Sequence, residues 1–115
     1  MTNFILGIET SCDDTSVALV DRSGNVKEIE TVSQYKVHSE FGGVYPELAS
    51  RAHLEAILPV IESVMGTARA ATSQLAAIGV TRGPGLMGSL LVGLSTAQAL
   101  GMAWGLPVHG INHLR

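Results

Sequence analysis

The feature that most constrains this chain is a long segment with almost no charge. From Ala76 to Leu114 the only formally charged residue is Arg82. Small soluble domains normally distribute charged side chains over every exposed face. Nine of the ten acidic residues instead lie within residues 1–55, and the tenth is Glu62. We therefore expect the segment to be buried on several sides, or to be covered by a surface that this sequence does not contain.

The composition limits the class of protein further. The chain has 115 residues, 46% of them hydrophobic, and a net charge of −3. This length and apolar content indicate one domain with a hydrophobic core, and they exclude a disordered chain. The single cysteine, Cys12, excludes a disulfide scaffold and fits a reducing compartment, so we expect a cytoplasmic location. The absence of a basic excess argues against a dedicated nucleic-acid module.

The hydrophobic pattern predicts an α/β domain with a mixed sheet and the element order β-β-β-α-β-α-β. The first three strands should form an antiparallel meander, and they are predicted at Phe4–Ile8, Thr15–Val20 and Val26–Ser33. The last two should pair in parallel through helical crossovers, and they are predicted at Leu75–Thr81 and Val108–Asn112.

Two helices are predicted between the later strands. The first begins near Pro46, and Pro59 inside its apolar pattern predicts a kink or a division into two helices. A turn is expected at Arg82–Gly85, followed by a second helix over Leu86–Trp104. The uncharged run that contains this helix is long enough to be tested as a membrane span. Its polar residues and short α/β flanks favour a helix buried against the sheet, so no membrane partner is expected.

The first candidate site is the polar turn after the first strand, Ile8-Glu-Thr-Ser-Cys-Asp-Asp-Thr-Ser16. Its hydroxyl and backbone N–H groups can hold phosphate oxygens, and Asp13 and Asp14 can hold a metal or its bound water. Adjacent acidic residues in a hairpin are also commonly just solvated, so the pattern alone leaves both interpretations open. Cys12 lacks the surrounding signature of a cysteine nucleophile, and catalysis by it is not expected.

The second candidate site is the glycine-rich turn Thr81-Arg-Gly-Pro-Gly-Leu-Met-Gly-Ser89. Its glycine spacing matches a dinucleotide-binding turn, but Pro84 removes one N–H group and no acidic residue follows to bind a ribose. A P-loop is excluded because no lysine follows the glycines. The turn therefore predicts close approach of the backbone to an anion at a helix N-terminus, with tight helix–sheet packing as the alternative.

Four segments together resemble the bacterial TsaD (Gcp) family, whose members long carried the label O-sialoglycoprotein endopeptidase. In order and spacing they are residues 8–16, Gly42-Gly-Val-Tyr-Pro-Glu-Leu-Ala-Ser-Arg-Ala-His53, residues 81–93 and Gly110-Ile-Asn-His-Leu114. The resemblance covers the whole chain. It implies a ribonuclease-H-like subdomain of the actin-like ATPase (ASKHA) fold, with residues 1–115 as a single N-terminal subdomain and the second subdomain absent.

The resemblance also implies a transferase that modifies tRNA. Family members transfer a threonylcarbamoyl group from threonylcarbamoyl-adenylate to N6 of adenosine 37, and they work with a paralogous TsaB-type subunit and a TsaE-type ATPase. Asp13 and Asp14 match the acidic pair beside the nucleotide site, and we assign them the catalytic role. The residues that match the nucleotide-binding positions are Ser11, Gly83, Gly85 and Gly88.

An iron or zinc ion is a further implication of the resemblance, because family members hold one through an Asn-His-x-x-x-His motif and a distant aspartate. By spacing alone, none of the four histidines of this chain is a convincing ligand. Asn112 and His113 match the start of the motif, but its second histidine would fall beyond Arg115. We therefore expect an N-terminal fragment that retains one metal ligand of three, does not keep the ion and lacks complete transferase activity.

Three other functions remain as alternatives. A non-catalytic partner-binding ASKHA module would use the faces of Leu48–Met65 and Leu86–Trp104. A sugar-kinase-like ATPase is less well supported, because such kinases favour Asp-x-Gly-Thr where this chain has Glu9-Thr-Ser-Cys. The metallo-endopeptidase of the old family label is the weakest, since no general base lies beside a complete metal site.

Overall fold

Alternating apolar residues build a five-stranded sheet, which the computed structural model shows together with two helices. The model describes residues 4–10, 14–33, 46–68, 70–83 and 87–112, with the backbone alone at 46–53, 87 and 112. The elements are β1 (Phe4–Glu9), β2 (Asp14–Asp21), β3 (Val26–Ser33), α1 (Pro46–Ala68), β4 (Leu75–Gly83), α2 (Met87–Trp104) and β5 (Val108–Asn112). A single 3₁₀ turn, Thr72–Gln74, precedes β4.

The strand order across the sheet is β3-β2-β1-β4-β5. β1 pairs antiparallel with β2, and β2 pairs antiparallel with β3. β4 pairs in parallel with β1 on one side and with β5 on the other. Short turns permit only antiparallel neighbours, whereas the helices provide the long crossovers that parallel strands need. The predicted meander and mixed sheet are confirmed, and the elements among the described residues follow one another as predicted.

One face of the sheet packs against both helices and forms the core. In β1 and β4 the alternate residues Leu6, Ile8, Ile78 and Val80 are almost completely buried. The buried residues that α1 and α2 contribute to the same cluster are Ile57, Val60, Ile61, Val64 and Ala97. Alternate residues of a strand point to the same face, so the apolar residues at every second position all pack against the helices.

The opposite face of the sheet has no helix packed on it in the described parts of the chain. Three isoleucines on this face remain exposed: Ile5 by 43%, Ile29 by 56% and Ile111 by 53%. Gly7 and Gly79 are paired neighbours at its centre. The two faces of one sheet thus differ sharply in how well their apolar residues are covered.

Two helix expectations can be compared directly with the structure. Of the two alternatives predicted at Pro59, a kink or a division into two helices, the division is wrong, because α1 continues through Pro59. Pro59 and Glu55 are both exposed, so the carbonyl that loses its N–H donor lies on the solvent side of the helix. The predicted end of α2 is confirmed: Gly105 has φ 67°, and the Leu106 N–H donates to the Gly101 carbonyl at 2.8 Å.

The predicted turn at Arg82–Gly85 begins too early. Arg82 and Gly83 still belong to β4, where Gly83 pairs with Asn112. A central strand with neighbours on both sides continues as long as its ladder does, which local turn chemistry does not reveal. Neither helix in the described ranges is long and apolar enough to cross a membrane.

Candidate functional site

The described ends of the two candidate turns lie at one edge of the sheet. β1 and β4 are parallel neighbours with Ile8 opposite Val80, so their carboxyl ends lie side by side. The polar turn follows β1, and the glycine-rich turn follows β4. In open α/β sheets, ligands bind beyond the carboxyl ends of parallel strands. The register therefore places the strand ends that lead into both candidate turns at the sheet edge where a ligand is expected.

A hydrogen bond joins the ends of β1 and β4 on the open face. Thr81 Oγ1 donates to Glu9 Oε2 at 2.9 Å in a partly buried setting. Both residues line an open cavity of about 210 Å³, together with Gly7, Ile8, Ser16, Ala18, Gly79, Val80 and Ile111. Hydrogen bonds to charged groups are the stronger ones in proteins. The bond thus holds the Glu9 carboxylate in one orientation within a largely apolar cavity.

The next residue along the chain makes a second connection, on the helix-covered face. Thr10 is fully buried, and its Oγ1 donates to the backbone carbonyl of Ser89 at 2.7 Å. A Cβ atom at Gly93 would lie 2.5 Å from Thr10 Oγ1, closer than real Cβ contacts allow. A glycine is therefore needed at position 93 for α2 to approach β1 closely enough for this bond.

Ser89 also has a buried side-chain hydroxyl. Its residue is completely buried, and its Oγ has no hydrogen-bond partner within the part of the chain that the structure describes. Ser89 is the third residue of α2, in the first turn, where backbone N–H groups have no acceptor within the helix. The beginning of α2 is consequently rich in donor groups, the arrangement that favours an anion.

The predicted site residues can be located only in part. Asp14 is exposed and opens β2, and because Ser16 pairs with Glu9 it lies beyond the end of β1. Gly83 closes β4, and Gly88 lies in the first turn of α2. All three are therefore at the same end of the sheet. The four that fall outside the described residues are Ser11, Asp13, Gly85 and His113.

Arg82, the one charged residue of the low-charge segment, accompanies the glycine-rich turn. It is exposed and lies next to the last residue of β4. A Cβ atom at Gly110 would lie 2.7 Å from Arg82 Cδ, so the stem of the arginine crosses β5 at that glycine. A positive charge at this edge adds to the preference of a helix N-terminus for an anion.

The described residues do not form a metal site. No group of three or more His, Cys, Asp or Glu residues among them could hold an ion. His109 lies in β5 and is exposed, whereas His113 is outside the described residues. A closed iron or zinc site takes at least three protein ligands. The donor set of the described chain therefore does not fit the ion that the family resemblance implies.

The sequence reasoning missed the residues that connect the two turns: Glu9, Thr10, Thr81 and Ser89. Glu9 lies within the polar turn, but its pattern there assigns it no role beside Asp13 and Asp14. Thr10 carried a usable signal, because it continues the buried alternation of Leu6 and Ile8. A hydroxyl at a core position indicates a hydrogen bond, since buried polar groups are nearly always partnered. No local pattern could name Ser89 as its acceptor, because 79 positions separate the two residues.

The fold and the position of this edge define a domain of the ASKHA class. YeaZ from Pseudomonas aeruginosa has the same fold, with a TM-score of 0.73, 23% identity and coverage of 96% of this chain and 43% of that one. A second solved structure is titled an uncharacterized protein with similarity to peptidase YEAZ from Pseudomonas aeruginosa. It has a TM-score of 0.74 at 25% identity, with the same coverage. The predicted fold class is confirmed.

The family follows from the sequence comparisons. The model of the family TsaD: tRNA N6-adenosine threonylcarbamoyltransferase matches residues 25–115. The chain belongs to this family. The enzymes of that name from Pelobacter propionicus and Paraburkholderia xenovorans are 48% and 51% identical to it over 110 residues, which is 96% of the chain. The chain spans about a third of their length, 32% in each case.

Proposed function

We propose that this chain forms the nucleotide-binding edge of a tRNA threonylcarbamoyltransferase. The observation that carries the proposal is the family match over residues 25–115, supported by the parallel pairing of β1 and β4, the strands that lead into the polar and glycine-rich turns. In the reaction, the N6 amine of adenosine 37 attacks the carbamoyl carbonyl carbon of threonylcarbamoyl-adenylate. The bond from that carbon to the phosphate oxygen breaks, AMP leaves, and the amine loses a proton.

The residues of this edge would divide between binding the adenylate and orienting the amine. The beginning of α2, with Gly88 and the buried Ser89 hydroxyl, supplies donors for the phosphate, and Arg82 supplies positive charge. Ser11, Gly83 and Gly85 would complete the phosphate contacts. Asp13 and the exposed Asp14 would orient the amine and accept its proton. The donors and the positive charge would face the leaving phosphate, and the carboxylates would face the amine, which becomes positively charged as it attacks.

The iron or zinc ion, the partners and the cellular location belong to the same proposal. By the resemblance His113 would be one ligand of the ion, but the described residues supply no ligand set, so this chain alone would not retain it. Such an ion supplies Lewis-acid chemistry when bound. The partners would be the tRNA, a TsaB-type subunit and a TsaE-type ATPase. A reaction on tRNA with these partners takes place in the cytoplasm.

A chimera tests the transferase function. This chain would replace the matching third of the Pelobacter propionicus enzyme, in cells whose own enzyme is depleted. Mass spectrometry of digested tRNA then measures threonylcarbamoyladenosine. We expect the chimera to restore the modified nucleoside and Asp14→Ala to lower its rate of formation by about a hundredfold. Glu62→Ala is the matched control, because Glu62 is an exposed acidic residue of α1.

The outcomes of this experiment are separable. A chimera that is produced in folded form but forms no modified nucleoside, beside an active parent enzyme, contradicts the proposed function. An active chimera in which Asp14→Ala and Glu62→Ala behave alike contradicts only the role of Asp14.

An exposed apolar groove supports a second function, binding of a partner without catalysis. The groove between α1 and α2 encloses about 440 Å³, and its lining residues are Leu54, Ile57, Leu58, Ser95, Thr96, Ala99, Leu100 and Ala103. Leu54 is 65% exposed and Leu58 is 54% exposed. Exposed apolar patches on small domains commonly mark protein contacts. Leu58→Glu should abolish association with a TsaB-type subunit in gel filtration. If the chimera shows association without tRNA modification, the binding function alone remains.

A further inference from the structure

Glu9, the last residue of β1, and Thr10, which follows it, bond to the two ends of the glycine-rich segment Thr81–Ser89. Glu9 accepts a hydrogen bond from Thr81 in β4 at 2.9 Å. Thr10 donates to the carbonyl of Ser89 in α2 at 2.7 Å. We infer that these four residues, the β1 clamp, position the end of β4 and the beginning of α2 against the polar turn. The inference rests on the proposed function in assigning this edge to an adenylate.

The two bonds lie on opposite faces of the sheet. Thr10 is on the helix-covered face and fully buried, whereas Glu9 and Thr81 line the cavity of the open face. Successive side chains of a strand point to opposite faces, so neighbouring residues can hold one partner segment from both sides. β4 is already held by its backbone pairing with β1 and β5. The two side-chain bonds add a restraint on each face, one to the end of β4 and one to the beginning of α2.

The packing around the clamp shows that the close approach depends on small residues. Gly93 leaves the space that Thr10 Oγ1 occupies, where a Cβ atom would be only 2.5 Å away. On the open face, Gly7 and Gly79 place no side chains between the strands next to Glu9 and Thr81. The Thr81–Glu9 bond therefore adds a side-chain connection between β1 and β4 beside the two glycines, where the side chain that packs over Gly79 comes from Ile111 of β5. Removal of the Thr81 hydroxyl should loosen the edge without opening the core.

The clamp has a defined consequence for the reaction. The donors at the beginning of α2 can bind a phosphate group only if they keep their distance from the polar turn, because hydrogen-bond energy falls steeply with misalignment. In this proposal Glu9, Thr10 and Thr81 contact neither the phosphate nor the reacting atoms, and Ser89 belongs to the clamp only through its backbone carbonyl. They are positioning residues, so their loss should weaken adenylate binding more than it slows the chemical step.

The experiment compares hydroxyl deletions at matched sites in the chimera. Thr81→Val and Thr10→Val each remove one clamp bond while retaining the side-chain shape. Thr31→Val is the control, because it removes the hydroxyl pair between Ser16 and Thr31, 2.9 Å apart and also on the open face. We expect Thr81→Val to raise the KM for threonylcarbamoyl-adenylate about tenfold while kcat changes less than about twofold. Thr81→Ser retains the donor and should restore the KM.

Amide hydrogen exchange gives a second measurement that does not require activity. In Thr81→Val and Thr10→Val, the amides of Thr81–Gly83 and of the first two turns of α2 should exchange about tenfold faster, while those of β2 stay unchanged. Equal exchange and equal KM for Thr81→Val and Thr31→Val would overturn the clamp. A chimera without transferase activity contradicts the proposed function, and the exchange measurement still decides whether the clamp holds this edge.

Discussion

The same strands build both faces of the sheet, but helices cover one face and leave the other exposed among the described residues. On the helix-covered face Leu6, Leu19 and Ile78 are completely buried. On the open face Ile5 is 43% exposed and Ile111 is 53% exposed. Adjacent residues of one strand therefore differ between full burial and substantial exposure. The free energy of unfolding should depend mainly on the helix-covered face. The open face is exposed and carries the part of the candidate site that contains Glu9 and Thr81.

The difference between the two faces also explains part of the low charge of residues 76–114. One strand face of β4 and the inner side of α2 belong to the core, so the segment is apolar there because it is buried. Other apolar residues of the same segment remain exposed, and Met102 is 86% exposed. Burial within the described chain thus explains only part of the missing charge. The chain spans 32% of the length of the curated relatives that it matches.

The sharpest test of this difference is truncation of one isoleucine on each face. Ile78→Ala should lower the free energy of unfolding by about 3 kcal/mol, because it leaves a cavity in the packed core. Ile29→Ala should lower it by less than about 1 kcal/mol, because Ile29 is already 56% exposed. Urea unfolding of the chain at low protein concentration measures both. Similar losses at the two positions would show that the open face is covered in solution.

A second test concerns the closest approach between the helix layer and the sheet. Gly93→Ala should destabilise the chain by about 2 kcal/mol, because the new methyl group would overlap Thr10 Oγ1 and break its bond to Ser89. Gly66→Ala in α1 is the matched control, since a Cβ atom there meets nothing within 4 Å. That variant should stabilise the chain by up to about 1 kcal/mol through helix propensity. If both substitutions are stabilising, α2 does not approach β1 this closely.

The sequence predicted the elements well, because periodicity is a local signal. β3 and β5 have the bounds expected from alternation, and the Asp21–Asn25 turn is closed by Asp21 Oδ1, which accepts the N–H groups of Ser23 and Asn25 at 2.9 Å. The end of β4 was misplaced because its ladder with β5 is a tertiary interaction. The bond of Thr10 to Ser89 escaped prediction for the same reason, since an acceptor distant in sequence leaves no local trace.

Ser89 allows a smaller test, specific to the helix-covered face. Ser89→Ala should raise the free energy of unfolding by about 1 kcal/mol, because it removes a buried hydroxyl that has no hydrogen-bond partner among the described residues. If that hydroxyl also binds the adenylate, the same variant should raise the KM of the chimera. Gain of stability with loss of affinity would mark Ser89 as a binding residue. Loss of stability would show that the hydroxyl has a partner in solution.

The smallest expected effect concerns association through the open face. Apolar side chains that remain exposed on one sheet face favour self-association, so the chain alone should form dimers or larger species in analytical ultracentrifugation. Ile5→Lys should weaken this association several-fold, because a charge at the centre of the face must be desolvated on contact. Met102→Lys is the control: Met102 is more exposed than Ile5 but lies on α2, away from that face. A monomer at all concentrations, or equal effects of the two lysines, would show that exposure of the open face does not drive association. The fragment expectation would then lose its main physical support.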